Sequence, residues 1–412
     1  MANQAKGKVP RIRFKAYSEP WVVEMIGDVL AEKRRPIVLE DEKSYELITV
    51  KRRNDGVVSR GHLLGRDILV KNYAHLKAGD FVISKRQVVH GATGIVPPAL
   101  DGAIVSNEYL TAVDSGKLLT EFFTIVASLP AMRKKFFLSS YGVDIEKLFF
   151  DADDWKKRSV MLPHTQEQDR IAKFFRKVDR VIGLHQHKHD KLVTLKKAML
   201  QKMFPQPGAT TPEIRFKGCS GAWNPEVMSK IGQPYTGLTG KTKADFGHGL
   251  GRYVTYMGVF GHAISNLCMT GPIPVDKGQN EVKKGDVLFT ISSETPNEVG
   301  MSSVWMDEAE NVYLNSFCFG FRPLPNFCSE FLAYLFRANE FRSRITLLAQ
   351  GISRYNISKT KAMDISVSIP KYEEQQKIGT YFRTLDSLIS NHATQVKKLQ
   401  QIKSACLEKM FV

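Results

Sequence analysis

Pro163-His-Thr-Gln-Glu167-Gln168-Asp-Arg-Ile171-Ala-Lys-Phe174-Phe175-Arg176, running on to Lys202-Met203-Phe204, decides how this chain is read, because it occurs twice. It realigns without a gap on Pro370-Lys-Tyr-Glu-Glu374-Gln375 through Lys409-Met410-Phe411, at a constant offset of 207 (370 − 163). Asp179, Ile182, His185, Leu192, Lys196 and Leu200 return as Asp386, Ile389, His392, Leu399, Lys403 and Leu407. A period that long marks a duplicated structural unit, so the repeat governs the architecture before any local motif does.

Within each copy the apolar pattern has a period of 3.5, the signature of a coiled-coil seam. One heptad position is filled by Ile171, Val178, His185, Leu192 and Met199, and in the second copy by Ile378, Leu385, His392, Leu399 and Cys406. Phe174, Val181, Lys188, Leu195 and Lys202, with Tyr381, Leu388, Gln395, Ile402 and Lys409, are assigned to the second position. Four to five heptads give a helix of about 32 residues and on the order of 48 Å. Pro205, Pro207, Gly208 and Pro212 stop the first helix and form a linker. A whole globule must follow before the second helix begins, so the two seams are expected to pair antiparallel and hold the globules at opposite ends of a rod. His185 and His392 then meet at the centre, where a polar residue fixes register; each could equally lie at the seam edge in water. Metal binding by His185, His187 and His189 is the weaker reading, because the second copy keeps only His392.

Working outward, Pro10-x-Ile12-Arg13-Phe14-Lys15 with Trp21 returns as Pro212-x-Ile214-Arg215-Phe216-Lys217 with Trp223. Gly79-Asp80 before Phe81-Val82-Ile83 returns as Gly285-Asp286 before Val287-Leu288-Phe289. The middles have diverged. In the first, β-rich runs at residues 45–50, 81–83 and 103–105 are separated by Asn54-Asp55-Gly56, Gly91, Pro97-Pro98 and Asp101-Gly102, and a helix is expected over 117–137. In the second, strands are expected at 253–256, 287–291 and 312–314, then a helix over 330–349. The divisions are a globule at 1–160, a helix at 161–204, a linker at 205–211, a globule at 212–368 and a helix at 369–412.

The 412 residues suffice for two or three domains with real cores. No apolar run approaches the roughly 18 residues of a membrane span and no apolar signal core follows the N-terminal lysines, so a cytoplasmic protein without a membrane partner is expected. All five cysteines fall in the second half, without C-x-x-C spacing, which argues for reduced, small apolar residues rather than a disulfide or zinc framework. A net charge of +17 and a pI near 9.5 point to a polyanion. Solubility, or an acidic protein partner, is the blander account of the same charge.

Enzyme motifs fail on inspection. Gly237-Leu-Thr-Gly240-Lys241-Thr242 has Tyr235 where a phosphate loop needs its first glycine, and Gly247-His-Gly249-Leu-Gly251 lacks dinucleotide spacing. Val96-Pro-Pro98-Ala99 fails at both ends as an amino-methyltransferase motif, and Asp153-Asp154 reads as a helix start. A non-catalytic chain is expected.

The tandem arrangement, the Pro-x-x-x-Glu-Gln start of each long helix, the Gly-Asp turns after Lys77 and Lys284, and Gly351-Ile-Ser-Arg-Tyr-Asn356-Ile-Ser358 together resemble the specificity subunit of type I restriction-modification systems over essentially the full length. Ser139-Ser-Tyr-Gly142-Val-Asp144 departs from the last of these motifs. The resemblance implies an α+β chain: two tandem α/β target-recognition domains separated by two long helices forming an antiparallel coiled coil with pseudo-two-fold symmetry. It also implies that the chain reads a bipartite, asymmetric site on double-stranded DNA, docks two modification (methyltransferase) subunits, and in a full enzyme joins restriction subunits. S-adenosylmethionine, ATP and Mg2+ are then expected on those partners and no cofactor on this chain.

By donor and acceptor chemistry, candidate DNA contacts in the first globule are Lys51, Arg52, Arg53, Arg60, Lys85, Arg86, Gln87 and His90. In the second they are Lys241, Lys243, Arg252, Ser292, Ser293, Arg354, Tyr355 and Asn356. A different class of answer is a basic coiled-coil adaptor that joins two proteins and reads no DNA.

Overall fold

In the computed structural model residues 8–412 are described. The chain divides into two compact units that do not follow chain order: unit 1 takes residues 1–184 with 396–412, and unit 2 takes 185–395. Each therefore contains one globule, the first half of its own long helix and the last half of the other. The long helices run Thr165–Lys202 and Tyr372–Lys409.

Unit 1 holds a four-stranded sheet, in order Ala31–Glu32, Tyr109–Val113, Phe81–Ser84 and Thr93–Ile95. Beside it a five-stranded sheet runs Pro36–Ile37, Tyr73–His75, Ile104–Ser106, Ser44–Val50 and Val57–Leu64. Unit 2 holds a five-stranded sheet, Gly232–Thr236, Cys318–Pro323, Val287–Thr290, Ser302–Trp305 and Ile264–Ser265, and a three-stranded one, Thr270–Ile273, Gly251–Val254 and Val312–Leu314. In each, a two-stranded clip closes the globule against its long helix. Val22–Met25 pairs antiparallel with Ser159–Leu162, and Asn224–Val227 with Ser366–Ile369.

The repeated residues make the same contacts twice. Arg13 donates through Nε and Nη2 to Glu167, both at 2.7 Å, as Arg215 does to Glu374 at 2.9 and 2.7 Å. Gln168 accepts from the Leu119 N–H and donates to the Pro163 carbonyl; Gln375 accepts from Cys328 N–H and donates to Pro370. The Glu-Gln pair thus fastens the start of each long helix to its globule by buried, charge-assisted hydrogen bonds. The Gly-Asp turns work alike. Asp80 and Asp286 accept from the N–H three residues back, at 2.8 Å, and each binds an arginine with two contacts, Arg35 and Arg322. Gly79 and Gly285 both stand at φ +89°, which favours glycine.

The helix tails are exchanged between copies. In unit 1, Phe411 packs edge-on against Trp21 at 5.8 Å and stacks on Phe122 at 5.9 Å. In unit 2, Phe204 meets Trp223 at 6.0 Å and Phe331 at 5.8 Å with the same geometries. Ile12 N–H donates to the Lys409 carbonyl and Ile214 N–H to Lys202. Each globule's leading segment therefore closes on the far end of the other copy's helix.

The helices pair antiparallel within each unit. Lys403 binds Asp179 in unit 1, and Lys196 binds Asp386 in unit 2, where Asp386 also accepts from the Tyr334 hydroxyl. His185 and His392 meet with their Nδ1 atoms 2.9 Å apart, half-buried, so one ring must donate to the other. Ile171, Ile378 and Leu385 are buried in the seam and Val178, Leu192 and Leu399 half-buried.

The second heptad position is corrected by one residue. Phe175, Ile182, His189, Lys196 and Met203, with Phe382, Ile389, Val396, Lys403 and Met410, are the residues turned inward. Leu195, Leu388 and Ile402 are 39%, 41% and 43% exposed and Lys188 and Lys409 are exposed, whereas Phe174, Val181, Lys202, Tyr381 and Gln395 of the expected set are half-buried, Phe174 and Tyr381 packing against the globule cores. The reason is that i+3 and i+4 lie on one helical face, and at Leu195-Lys196 and Ile402-Lys403 the apolar residue stands at i+3 while the inward one at i+4 is charged. The lysines at 196 and 403 are tolerated because their ammonium groups reach copy-matched aspartates.

Both globule helices are also shorter than expected. Residues 117–137 form Thr120–Ser128 and Pro130–Leu138, because Pro130 pushes Leu129 to φ −72°, ψ 147°. Residues 330–349 form Ser329–Leu335 and Asn339–Thr346. The break places Arg337, whose guanidinium donates to the carbonyls of Val259, Phe260, His262 and Ser302. Burial holds its pKa down at about 10.

Candidate nucleic-acid interface

In unit 1 the Asn54-Asp55-Gly56 segment does make the hairpin turn between Ser44–Val50 and Val57–Leu64. Arg53 and Asn54 adopt φ +61° and +59°, and Asn54 is locked there by bonds to Gly91 O, Thr93 Oγ1 and Arg133. The returning strand is an edge strand, exposed from Ser59 to Leu63. Its register steps from Leu47↔Gly61 to Ile48↔Ser59, leaving Arg60 as the unpaired residue of a bulge, beside Gly61 at φ +108°. Bulges re-aim side chains, and here one turns a guanidinium out of the ladder. Lys51, Arg53 and Arg60 are exposed and form no side-chain hydrogen bond or ion pair among the described residues.

Two further candidates converge on one carboxylate and a third is bound to one of them. Arg52 donates to Gln87 Oε1 at 2.8 Å and to Glu146 Oε2 at 2.6 Å, and His90 Nε2 stands 3.5 Å from Glu146 Oε1. Glu146 lies two residues beyond the Ser139–Asp144 segment and had no local signal in the sequence. Lys85 donates to the Asn107 carbonyl, and Arg86 to Glu108 at 2.7 Å while lying 5.6 Å over the Phe149 ring. Glu108 raises the Arg86 pKa further. Arg52 and Arg86 are therefore oriented by acidic neighbours, and Lys85 by a backbone carbonyl.

Unit 2 is built differently. Lys241 is taken up by Asp276 at 2.6 Å with only 17% of its side chain exposed, and the pair pulls the Asp276 carboxyl below its usual range. Arg252 folds onto Thr270 through Oγ1 and the carbonyl, half-buried. Lys243 is exposed on a turn closed by Thr242 and Asp245, each bonding the other's backbone. Ser292 and Ser293 are buried rather than presented, since they form a short strand paired with Tyr355–Asn356. That pairing replaces the Ser140–Tyr141 and Phe149–Phe150 hairpin of unit 1. Gly351 sits at φ +140° with a would-be Cβ 2.1 Å from the Arg354 carbonyl, so the motif's glycine is sterically required.

Arg354 is exposed and borders a cavity of about 370 Å³ with Ser292, Ser293, Glu294, Tyr256 and Phe317. Tyr256 and Phe260 stack at 5.9 Å on its wall, and the exposed Phe317 and Met257 rim it. These apolar wall residues escaped the sequence reading because aromatic residues at helical spacing look like core. The candidate residues thus form two clusters in unit 1 and one partial cluster in unit 2, from which Lys241, Arg252, Ser292 and Ser293 are withdrawn by internal bonding or burial.

Among the described residues there is no group of three or more metal-ligating side chains, and no helix is long and apolar enough to cross a membrane. His189 is taken by Asp190 at 2.9 Å, and His187 is exposed.

Comparison with known proteins agrees with this construction. The chain is 21% identical over 418 aligned positions to the type I restriction enzyme MjaVIII specificity subunit of Methanocaldococcus jannaschii, covering 93% of this chain and 90% of that one. Its fold is similar to the type I restriction-modification S subunit of M. genitalium, with a TM-score of 0.57 at 14% identity over 98% of this chain and 99% of that one. It is also similar, at a TM-score of 0.50 and 18% identity over 96% and 99%, to a chain solved in work on assembly and conformational transition of the type I R-M system. Residues 18–194 and 261–403 both match the type I restriction modification DNA specificity domain, and on that match over most of its length the chain belongs to the family of type I restriction-modification specificity subunits.

Proposed function

We propose that this chain is the non-catalytic DNA reader of a type I restriction-modification complex, each unit recognising one part of a bipartite, asymmetric site on double-stranded DNA. The observation that carries the reading is one frame bearing two unlike rims. The Arg-Glu fastening, the Gly-Asp turn and the exchanged Phe tail are the same in both units, whereas the exposed cations and loops differ. A duplicated frame supports docking of two copies of a modification subunit; unlike rims support unlike half-sites. S-adenosylmethionine, ATP and Mg2+ belong to the modification and restriction subunits on this reading, with none held by this chain.

Base choice is assigned to side chains already oriented. Arg52 with Gln87, Arg86 over Phe149, and Arg60 at its bulge suit guanine O6/N7 or adenine N6/N7, while Lys51, Arg53 and Lys243 suit phosphates. The test is to sequence methylated positions in cells carrying the chain with its partners, and again after residues 10–160 are replaced by another globule. One half-site is expected to change and the other to stay. A methylation pattern indifferent to the exchange would end the proposal.

Inserting equal heptads into both long helices is expected to widen the gap between half-sites and leave their sequences unaltered. The second reading, a basic adaptor without DNA specificity, draws support from Glu146, Glu108 and Asp276, which neutralise cations otherwise free for phosphates. Binding to labelled duplexes with the methyltransferase present separates the two. The reader predicts a steep loss of affinity with salt, with a slope of about −0.9 per phosphate contact, and discrimination between sites that survives it.

A further inference from the structure

The two units part company beside the repeated arginine. In unit 2 Arg215 has acceptors beyond Glu374: Nη1 donates to the Gly221 carbonyl at 2.6 Å and Nη2 to the Ser220 carbonyl at 3.3 Å. Gly218 and Gly221, at φ +88° and +86°, let the loop before Trp223 fold back over the guanidinium. The unit 1 loop before Trp21 has the same length but carries Ala16 and Glu19 in those two places. Arg13 makes its two bonds to Glu167, its side chain is 10% exposed, and its Nη1 is buried without an acceptor.

Beside Arg13 lies a cavity of about 530 Å³ whose walls include Tyr17, Pro20, Leu162, Pro163 and His164. Leaving His164 aside, its charged lining is Arg13 and Lys117 against Glu19, Glu24 and Glu167, one carboxylate in excess. That balance disfavours a phosphate or a nucleic acid. It suits a neutral or cationic chain that brings carbonyl oxygens. The bordering loop is exposed at Ala16, Ser18 and Glu19.

We propose that this cavity receives a main-chain turn of a methyltransferase subunit, whose carbonyls take on Arg13 the place that Ser220 and Gly221 take on Arg215. The identity of that partner rests on the function proposed above; the unmet donor and the cavity do not. Docking of the two modification subunits is then unequal, with an extra contact at unit 1 only.

The test compares the full-length chain with Ala16→Gly/Glu19→Gly, which gives the unit 1 loop the two glycines of unit 2, and with Glu19→Lys, which reverses a charge at an exposed position. Stoichiometry and stepwise affinity for purified methyltransferase subunit are read by native mass spectrometry and sedimentation, with thermal unfolding confirming that each variant is folded. The wild-type chain is expected to bind two copies. In the double variant one of the two steps should weaken about tenfold or more, the loss of a hydrogen bond to a charged group. Glu19→Lys should weaken the same step severalfold. Two folded variants that bind both copies as the wild type does would overturn the proposal while leaving the DNA-reader function intact. A wild-type chain that binds no methyltransferase subunit removes the reading on which the partner rests. Self-association of the wild-type chain, lost in the double variant, would show that the occupant is a second copy and overturn the assignment.

Discussion

Glu167 in unit 1 and Glu374 in unit 2 are held by the same two-pronged arginine, and Trp21 and Trp223 by the tail phenylalanine of the other helix; a few residues further out the resemblance is gone. Unit 1 presents a bulged edge strand and cations gathered around Glu146 and Glu108, whereas unit 2 presents a short strand pair and an aromatic-walled cavity. The difference teaches where constraint acts. Buried charges and interlocked rings leave little freedom, since each has one partner of suitable shape; a solvated rim satisfies its polar groups with water and can change.

The largest expected effect separates the units directly. Arg13→Ala leaves Glu167, 1% exposed, as an uncompensated buried charge, at a cost of about 3–5 kcal/mol. Arg215→Ala removes the acceptors' partner at Ser220 and Gly221 as well, so its cost should be the greater of the two. Hydrogen exchange read separately in each unit checks this: each variant should loosen its own unit. Equal loosening of both by either variant would dissolve the comparison.

Next come the exchanged tails. Phe204, 1% exposed, should cost about 3 kcal/mol or more on truncation to alanine, and the half-buried Phe411 less. Denaturant unfolding of the two variants measures the gap, and a reversed order would mean that unit 1 rather than unit 2 depends more on its borrowed tail.

Smaller still are the lysines of the seam. Lys196 shares Asp386 with Tyr334, and Lys403 holds Asp179 alone, so Lys196→Ala should exceed Lys403→Ala, with both near 1 kcal/mol or below because the pairs are partly solvated. A double-mutant cycle with each aspartate isolates the pair.

The smallest effect is on pH. Burial and then His185, Lys188 and His189 hold the His392 pKa below its usual 6.5, and the carboxylate of Asp190 is bound to His189. The unfolded chain therefore takes up a proton at a pH where the folded one does not. The seam's stability should be intact above about 6.5 and fall as the pH drops through that value towards the folded pKa. Melting curves of the wild type and of His185→Leu/His392→Leu should diverge on acidification; parallel curves would show that the imidazole contact does not titrate with folding.

Much of this was legible in the amino-acid order. A constant offset of 207 located both long helices, and Glu-Gln, Gly-Asp and Lys-Met-Phe marked the fastenings before their partners were known. The seam's second position reads one residue out where Leu195 and Ile402 advertise burial more loudly than the lysines at 196 and 403. Periodicity weighs side chains one at a time, and the lysines earn their place only through aspartates on the facing helix.

The sequence by itself determined that the chain is a duplicate with unlike middles, because repetition and heptad spacing are properties of order along the chain. Only the tertiary structure decided which contacts the repeats make. That each globule closes on the other copy's helix tail, and that Arg52 and His90 meet at Glu146 with Gln87 bound to Arg52, depend on residues up to nearly 400 positions apart, and that Arg13 lacks the acceptors Arg215 enjoys depends on how a short loop folds back. Such pairings are set by packing and hydrogen-bond geometry in three dimensions, which no local pattern encodes.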